Sequence, residues 1–431
     1  MVVIIFNREL HFYAKIVPMK RAFRILFHVI KKSIVYYYML VVACFALIPV
    51  CWAYILNRYM LIIFLIIAVY IVYRRQLARG KTYFIGRMFL MVAMSSVALF
   101  TSGRYSGTAH PYQCNRIIKQ DSVKPIVYYS RLCSKIIDKR APCIENLLQP
   151  YDLAYDYIHK KLYIITMYGI TIVNPSKNRD LKNMTVTSAQ RLIWIPERGL
   201  MIVPGYLNKR LDFFETNAED IIKSFSTEEK SKIAIVYDEK DILYILGERR
   251  KIITYSFEKN NIKVYNYGEK IANHLHSINY SPKHRRLYIG NYFPGNMYAI
   301  DTDTMKIIRS KLVSAGIMGI LVDEEKGELY VSSPLESKIL VLDSDTFKVK
   351  RKMKVGYIVR DIDWNPETGL LFAGNYADGT VDVLDMELGH RLKRVYIGPL
   401  VRGVYFSRET NRLFACSLCG AFEIDISKIK Q

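Results

Sequence analysis

The feature that most constrains the fold is a repeat with a period near 42 residues, which occupies the C-terminal two thirds of the chain. Seven two-residue pairs, each a leucine followed by an apolar or aromatic residue, recur at spacings of 38, 43, 44, 42, 42 and 42. The pairs are Leu162-Tyr163, Leu200-Met201, Leu243-Tyr244, Leu287-Tyr288, Leu329-Tyr330, Leu371-Phe372 and Leu413-Phe414. Such runs, bounded by turn residues, are typical of strands, and four short strands form one β-propeller blade. The sequence therefore predicts an all-β, seven-bladed β-propeller over residues 150–431.

Three segments repeat in more detail: "LYIGNYFPGNMYAIDTDTMKIIRS", "LYVSSPLESKILVLDSDTFKVKRK" and "LFAGNYADGTVDVLDMELGHRLKR". They resemble the YVTN-type β-propeller repeat, in which a Leu-Tyr-Val strand precedes a strand ending in Ile-Asp and a turn that bears threonine. The resemblance covers about residues 150–428 and is clear in units four to seven, whereas unit two lacks the strand that ends in aspartate. It implies the propeller architecture; because that repeat family is functionally diverse, it implies no particular activity.

Unit seven ends after its third strand, Ala421–Ile426. A propeller leaves no open edge if a segment from the other end of the chain supplies the missing strand. We expect that segment within Pro142–Leu148, in the linker of residues 102–149 that precedes the propeller.

The first 101 residues contain three apolar stretches, at 34–56, 59–73 and 83–101. About 20 apolar residues cross a hydrocarbon core of roughly 30 Å, so these stretches predict an α-helical transmembrane region. The third stretch contains Arg87 near its start, and the alternative of two spans stays open. A basic segment, residues 1–33, precedes the first stretch.

The net charge of +23 is concentrated at the same end, because residues 1–104 carry fourteen Lys or Arg and only one acid, Glu9. These basic residues lie mainly before the first stretch and between the second and third. Positive loops stay cytoplasmic, so three spans place the N-terminus in the cytoplasm and the propeller on the non-cytoplasmic side. Two spans would leave the propeller in the cytoplasm. The charge is thus a topology signal, and we expect an integral membrane protein that binds no nucleic acid.

Loops entering the innermost strands and loops leaving the second strands share one face of a propeller. Aligned repeats place there eight candidate ligand-binding residues, including two copies of Gly-Asn-Tyr: Tyr151, His276, Asn291, Tyr292, Arg360, Asn375, Tyr376 and Arg402. Arginine offers a rigid fork of donors for carboxylate or phosphate, and tyrosine offers a flat apolar face with a polar tip. We expect these residues to bind a protein, a glycan or an anionic small molecule.

The sequence contains no catalytic signature, so we predict no catalytic residue and no cofactor. His274 and His276 form a His-x-His pair that would point both rings to one side of a strand, but the spacing supplies no third ligand, and no metal site is predicted. Asp152 and Asp361 occupy equivalent repeat positions near the channel and would suit a metal-dependent lactonase. The basic or aromatic residue beside each one argues against this. A propeller enzyme, lactonase- or dehydrogenase-like with a metal or cofactor in the channel, remains the alternative to a binding or assembly module.

Of seven cysteines, Cys44 and Cys51 lie in the first apolar stretch. The other five would face an oxidising compartment, which permits disulfides. Pairing of the closing strand with unit seven predicts one bridge across the seam, between Cys143 and either Cys416 or Cys419.

Overall fold

The computed structural model describes residues 111–130, 133–138, 140–145, 150–166, 169–177, 181–185, 190–205, 209–227 and 231–427. All of them belong to one compact unit, Tyr105–Gln431. The basic segment 1–33 and the predicted spans 34–56, 59–73 and 83–101 lie outside the described residues. Within the described ranges, no helix has the length and apolar character needed to cross a bilayer.

The described strands form seven sheets arranged as a seven-bladed propeller, as the repeat predicts. Blade 1 comprises β3 (Pro150–Asp156), β4 (Lys161–Thr166), β5 (Gly169–Val173) and β6 (Leu181–Thr185). Blade 2 comprises β7 (Ile193–Ile195), β8 (Leu200–Gly205), β9 (Arg210–Glu215) and β10 (Asp220–Ser226). Blade 3 comprises β11 (Ser231–Tyr237), β12 (Ile242–Gly247), β13 (Lys251–Ser256) and β14 (Asn261–Asn266). Blade 4 comprises β15 (Leu275–Ser281), β16 (Arg286–Asn291), β17 (Asn296–Asp301) and β18 (Ile307–Leu312). Blade 5 comprises β19 (Ile320–Asp323), β20 (Glu328–Ser333), β21 (Lys338–Asp343) and β22 (Val349–Lys354). Blade 6 comprises β23 (Val359–Asn365), β24 (Leu370–Asn375), β25 (Thr380–Asp385) and β26 (Arg391–Tyr396). Blade 7 contains β27 (Gly403–Ser407), β28 (Arg412–Ser417) and β29 (Gly420–Ile424), together with β1 (Val123–Ser130) and β2 (Cys143–Glu145).

The core consists of seven apolar clusters, one between each pair of neighbouring blades. Successive side chains of a strand point to opposite faces, so the two members of each Leu-aromatic pair contact different neighbours. In blade 5, Leu329 packs against blade 4 and Tyr330 packs against blade 6. The pair recurs because every blade must fill two interfaces.

Blade 2 departs from the predicted alignment by one residue. Met201 packs against blade 1 and Ile202 against blade 3, which are the roles of Leu329 and Tyr330 in blade 5. Leu200, predicted to begin the pair, lies on the blade 3 side. A slip of one residue exchanges the two faces of a strand, so packing identifies Met201 as the repeat equivalent of the leucines.

The strands predicted to end in aspartate do so, since β17, β21 and β25 end at Asp301, Asp343 and Asp385. The carboxylates of Asp301 and Asp343 each accept a backbone N–H three residues later, from Thr304 and Thr346, both at 2.8 Å. This short-range bond fixes the turn into the outermost strand, which explains the repeated aspartate.

The strand that closes the ring is β1, not a segment within Pro142–Leu148 as predicted. β1 pairs antiparallel with β29, and Cys143–Glu145 forms β2, which adds in parallel outside β1. The position next to β29 is enclosed on both faces, and β1 supplies the buried side chains it requires, among them Val127 and Tyr128. The predicted segment belongs to the same sheet but lies one strand further out.

Two disulfides fasten this part of the chain. Cys114, in the short helix α1 (Pro111–Asn115), is bonded to Cys419 in the turn between β28 and β29. Cys143 is bonded to Cys133, and Cys416 is a buried free thiol. A disulfide therefore crosses the seam as expected, but its partners differ from the predicted ones because β1 separates Cys143 from β29.

Candidate functional site

The innermost strands bring two carboxylates and one arginine together in the channel. Arg191 lies just before β7 and donates to Asp152 Oδ1 at 3.1 Å and to the two carboxylate oxygens of Asp361 at 3.1 and 3.2 Å. With Met201 as the reference in blade 2, Arg191 occupies the repeat position of Asp152 in blade 1 and Asp361 in blade 6. We call these three residues the inner triad.

Each aspartate of the inner triad also holds the neighbouring blade. Asp152 accepts the Leu192 N–H of blade 2 at 3.2 Å, and Asp361 accepts the Val404 N–H of blade 7 at 3.0 Å. Blade 7 lies between blade 6, which carries Asp361, and blade 1, which carries Asp152, and it has Gly403 at the equivalent repeat position. A Cβ there would lie 3.1 Å from Asp152 Cα, so glycine leaves the space in which the inner triad closes.

Burial and charge act in opposite directions on the inner triad. Burial raises the pKa of Asp152 to about 6, with Arg191 opposing the rise and Asp361 adding to it. Burial alone would lower the pKa of Arg191, but Asp361 and Asp152 raise it above its usual range. Arg191 is thus a permanent cation, and the inner triad is an ion-pair network that joins blades 1, 2 and 6.

Above the inner triad, arginines and tyrosines alternate around part of the channel mouth. The Arg402 guanidinium carbon lies 4.2 Å from the ring centroid of Tyr151 and 5.6 Å from that of Tyr376. The Arg360 guanidinium carbon lies 5.6 Å from the Tyr376 centroid on the other side. Both are cation–π distances. We call Tyr151, Arg402, Tyr376, Arg360 and the following Tyr292 the mouth crescent.

Arg360 is the least compensated charge of the mouth crescent. Its Nε is buried and has no hydrogen-bond partner in the described part of the chain. Burial, and then the charges of Arg402 and Arg191, lower the pKa of Arg360 to about 10. An arginine side chain keeps its proton at neutral pH even with this lowered pKa. The lowered pKa therefore means that the position of Arg360 favours an added negative charge.

The two predicted asparagines support turns rather than face the channel mouth. Asn291 is buried; it accepts the Asn296 N–H at 2.6 Å and donates to the backbone oxygens of Asn273 and Phe293. Asn375 is also buried and donates to Thr380 Oγ1 at 3.1 Å. Each asparagine fixes the loop that carries the next residue, Tyr292 or Tyr376.

The two predicted histidines do not share a side of one strand. His274 precedes β15, has a left-handed backbone (φ +60°) and is exposed. His276 is buried, and its Nδ1 lies 3.3 Å from the Met318 carbonyl oxygen. Its ring centroid is 5.9 Å from that of Tyr292, which places His276 beside one end of the mouth crescent.

Blade 5 interrupts the polar lining. Aligned with Arg360 and Tyr376 of blade 6, blade 5 has Met318 and Pro334, both buried. The preceding loop packs tightly, since a Cβ on Gly316 would lie 2.6 Å from the Tyr292 carbonyl oxygen and 3.7 Å from Pro334 Cγ. The channel mouth is therefore cationic and aromatic over blades 6, 7 and 1, and apolar at blade 5.

The carboxylates that would serve a lactonase are already engaged. Asp152 and Asp361 converge as the repeat positions predict, but Arg191 occupies the space between them. Across the described ranges, no group of three or more His, Cys, Asp or Glu side chains could hold a metal ion. Deeper on β23, burial raises the pKa of Asp363 to about 7, while its carboxylate accepts the Phe406 and Trp364 N–H groups.

Sequence reasoning missed Arg191, although it made Asp152 and Asp361 candidates. The signal was present, because the residue ten positions before Met201 is an arginine where blades 1 and 6 have aspartate. Comparison of the chain with models of known protein families and with curated proteins finds no match in either case.

Proposed function

We propose that this protein is a binding module of the YVTN-type propeller class that binds an anionic ligand at the mouth crescent. We further propose that the N-terminal region anchors it in a membrane with the propeller on the non-cytoplasmic side. The observation that carries the binding proposal is Arg360, a half-buried arginine whose Nε is buried without a hydrogen-bond partner among the described residues, beside two other arginines. A bound anion would relieve the repulsion and accept hydrogen bonds from the open donors.

The rest of the mouth suits a ligand-binding role. Tyr376 lies between Arg360 and Arg402, with its ring centroid 5.6 Å from each guanidinium carbon, so the ring helps to hold both arginines in position before a ligand binds. Fixed donors lose little conformational freedom on binding, which favours affinity. The carboxylates of the inner triad are paired with Arg191, which lowers their repulsion of an anion.

The disulfides support the proposed side of the membrane. Cys114–Cys419 and Cys133–Cys143 join four of the five cysteines that follow the apolar stretches. Disulfides persist in oxidising compartments and are rare in the cytosol. An odd number of spans fits this arrangement, so the disulfides and the charge pattern favour the same three-span topology.

Binding is tested with the full-length protein in a nonionic detergent, titrated with acetate, phosphate and sulfate while tyrosine fluorescence is recorded. At least one anion should bind, and Arg360→Met should weaken it at least tenfold. Arg309→Met, an exposed arginine on β18, is the matched control and should bind as the unaltered protein does. Equal binding by both variants would refute the proposal.

Topology is tested separately in intact cells with reporter fusions after residues 32, 80 and 431. The first two should report the cytoplasm and the third the opposite side. Alkylation before and after reduction gives an independent measure, because four thiols of the propeller should react only after reduction. A cytoplasmic C-terminus with freely reactive thiols would contradict the anchoring proposal and leave the binding proposal intact.

A further inference from the structure

The charges at the channel mouth define the charge of the ligand. The Arg360 Nε is buried without a hydrogen-bond partner among the described residues, and the charges of Arg402 and Arg191 repel that of Arg360. Arg191 is paired with both carboxylates of the inner triad, so the positive charge of Arg360 is the one that a ligand would balance. A monoanion would balance it, whereas a phosphate dianion would add a negative charge above two buried carboxylates.

The inner triad shows how a carboxylate fits a guanidinium in this environment. Arg191 Nη2 donates to Asp361 Oδ1 at 3.1 Å and Arg191 Nη1 donates to Asp361 Oδ2 at 3.2 Å, a two-point contact. Arg360 offers the same group one residue before Asp361. The Arg360 guanidinium carbon lies over the Tyr376 ring, 5.6 Å from its centroid, and the Arg360 Nε has no hydrogen-bond partner among the described residues. A planar carboxylate matches a guanidinium in a two-point contact.

The apolar residues of blade 5 indicate what kind of substituent is attached to the carboxylate. Blades 5 and 6 are in contact next to Met318 and Arg360, since a Cβ on Gly319 would lie 2.9 Å from Ile362 Cγ1. Next to Arg360 around the ring therefore come Met318 and Pro334, and then Tyr292. A polar substituent would lose hydrogen bonds to water there without replacement, whereas an apolar one would bury surface.

We infer that the mouth crescent binds a monocarboxylate with an apolar substituent. The carboxylate contacts Arg360 and Arg402, and the substituent lies against Met318, Pro334 and Tyr292. This inference rests on the proposed function, since it names the ligand class of the same site. It also separates two roles: arginines of blades 6 and 7 select the charge, and blade 5 selects the substituent.

The test uses the full-length protein in a nonionic detergent and five probes: acetate, butyrate, hexanoate, hexanamide and hexyl phosphate. Each added methylene should tighten alkanoate binding about two- to fourfold. Hexanamide should bind about 100-fold more weakly than hexanoate, and hexyl phosphate about tenfold more weakly. Met318→Asn should weaken hexanoate about tenfold and leave acetate within twofold, and Arg360→Met should weaken both.

The possible failures differ from one another. If hexyl phosphate binds more tightly than hexanoate, and Arg360→Met abolishes this difference in affinity, the carboxylate inference is overturned. The proposed anion site at Arg360 is then still supported. Equal affinity for acetate and hexanoate, unchanged by Met318→Asn, would overturn the apolar contact. If no anion binds in an Arg360-dependent way, the proposed function itself falls. Circular dichroism and thermal unfolding of each variant show whether a loss comes from misfolding.

Discussion

The closure seam and the mouth crescent meet at blade 7, where the seam lies and which carries Arg402 of the crescent, yet the two regions have opposite character. At the seam, β1, β29 and the Cys114–Cys419 bridge join an apolar cluster, and backbone groups are paired even at the strand ends, where the Asp425 N–H donates to the Ser122 carbonyl. At the mouth crescent, Arg360 is a half-buried charge whose buried Nε has no hydrogen-bond partner among the described residues. A ring closed by covalent and apolar contacts can hold such a charge in place, because stability gained in one region offsets the cost in the other.

The largest effect is expected from the seam disulfide. Cys114→Ser should lower the free energy of unfolding by about 4 kcal/mol, because its bridge closes a loop of 305 residues. The matched control is Cys133→Ser, whose bridge spans 10 residues and should cost about 2 kcal/mol. Chemical denaturation under non-reducing conditions measures both. Equal losses would mean that the seam bridge does not constrain the ring.

The next effect concerns Gly420, the first residue of β29. Its backbone has φ +140°, and a Cβ would collide with the Val127 carbonyl of β1. Gly420→Ala should therefore cost about 3 kcal/mol and separate β1 from β29. Gly199→Ala is the control, since Gly199 also has a positive φ (+60°) but open space around it. It should cost about 1 kcal/mol. Thermal unfolding and amide exchange in β1 distinguish the two variants.

A smaller, pH-dependent effect should arise in the channel. Burial raises the pKa of Asp363 to about 7, so the folded protein keeps a proton that the unfolded chain loses near its ordinary pKa of 3.8. Stability from this proton is fully present below pH 3.8 and is lost as the pH rises through about 7. Between these values the unaltered protein should lose about 2 kcal/mol relative to Asp363→Asn. Denaturation at a series of pH values measures the difference, with the exposed Glu325→Gln as control. A constant difference would show that Asp363 is ionised throughout.

The smallest effect has the opposite sign. Arg360→Met removes a half-buried cation whose Nε has no hydrogen-bond partner among the described residues and keeps a long apolar side chain, so the ligand-free protein should become about 1 kcal/mol more stable. Arg309→Met on the exposed face of β18 should leave stability unchanged. Thermal unfolding without added anions compares the two. A loss of stability in Arg360→Met would show that the guanidinium is held by favourable contacts, and the contrast between seam and mouth would disappear.

Much of the fold follows from the sequence because each blade solves the same packing problem. A leucine and an aromatic residue must fill two interfaces, and an aspartate must fix the turn after β17 or β21. These are local requirements, so they appear at constant spacing. The closing strand has no such repeat, since β1 is defined by its fit to β29 rather than by its neighbours in sequence.

The site was predictable only in part for a related reason. Repeat positions located Arg360, Arg402, Tyr376 and the two aspartates at the channel. The buried turn role of Asn291 and Asn375 depends on hydrogen bonds that the Gly-Asn-Tyr spacing does not distinguish from a ligand contact. The alignment of blade 2 on Leu200 concealed Arg191.

The Cys114–Cys419 bridge also determines how the propeller carries mechanical tension. A pull on the chain before Cys114 passes through the disulfide to Cys419, at the turn between β28 and β29. β1 lies within the loop that this bridge closes, so its hydrogen bonds to β29 bear little of that load. In the reduced protein the same pull would act on β1 directly and could peel it from β29. A propeller held by its N-terminal side thus resists force through a covalent bond when oxidised, and through one strand pairing when reduced.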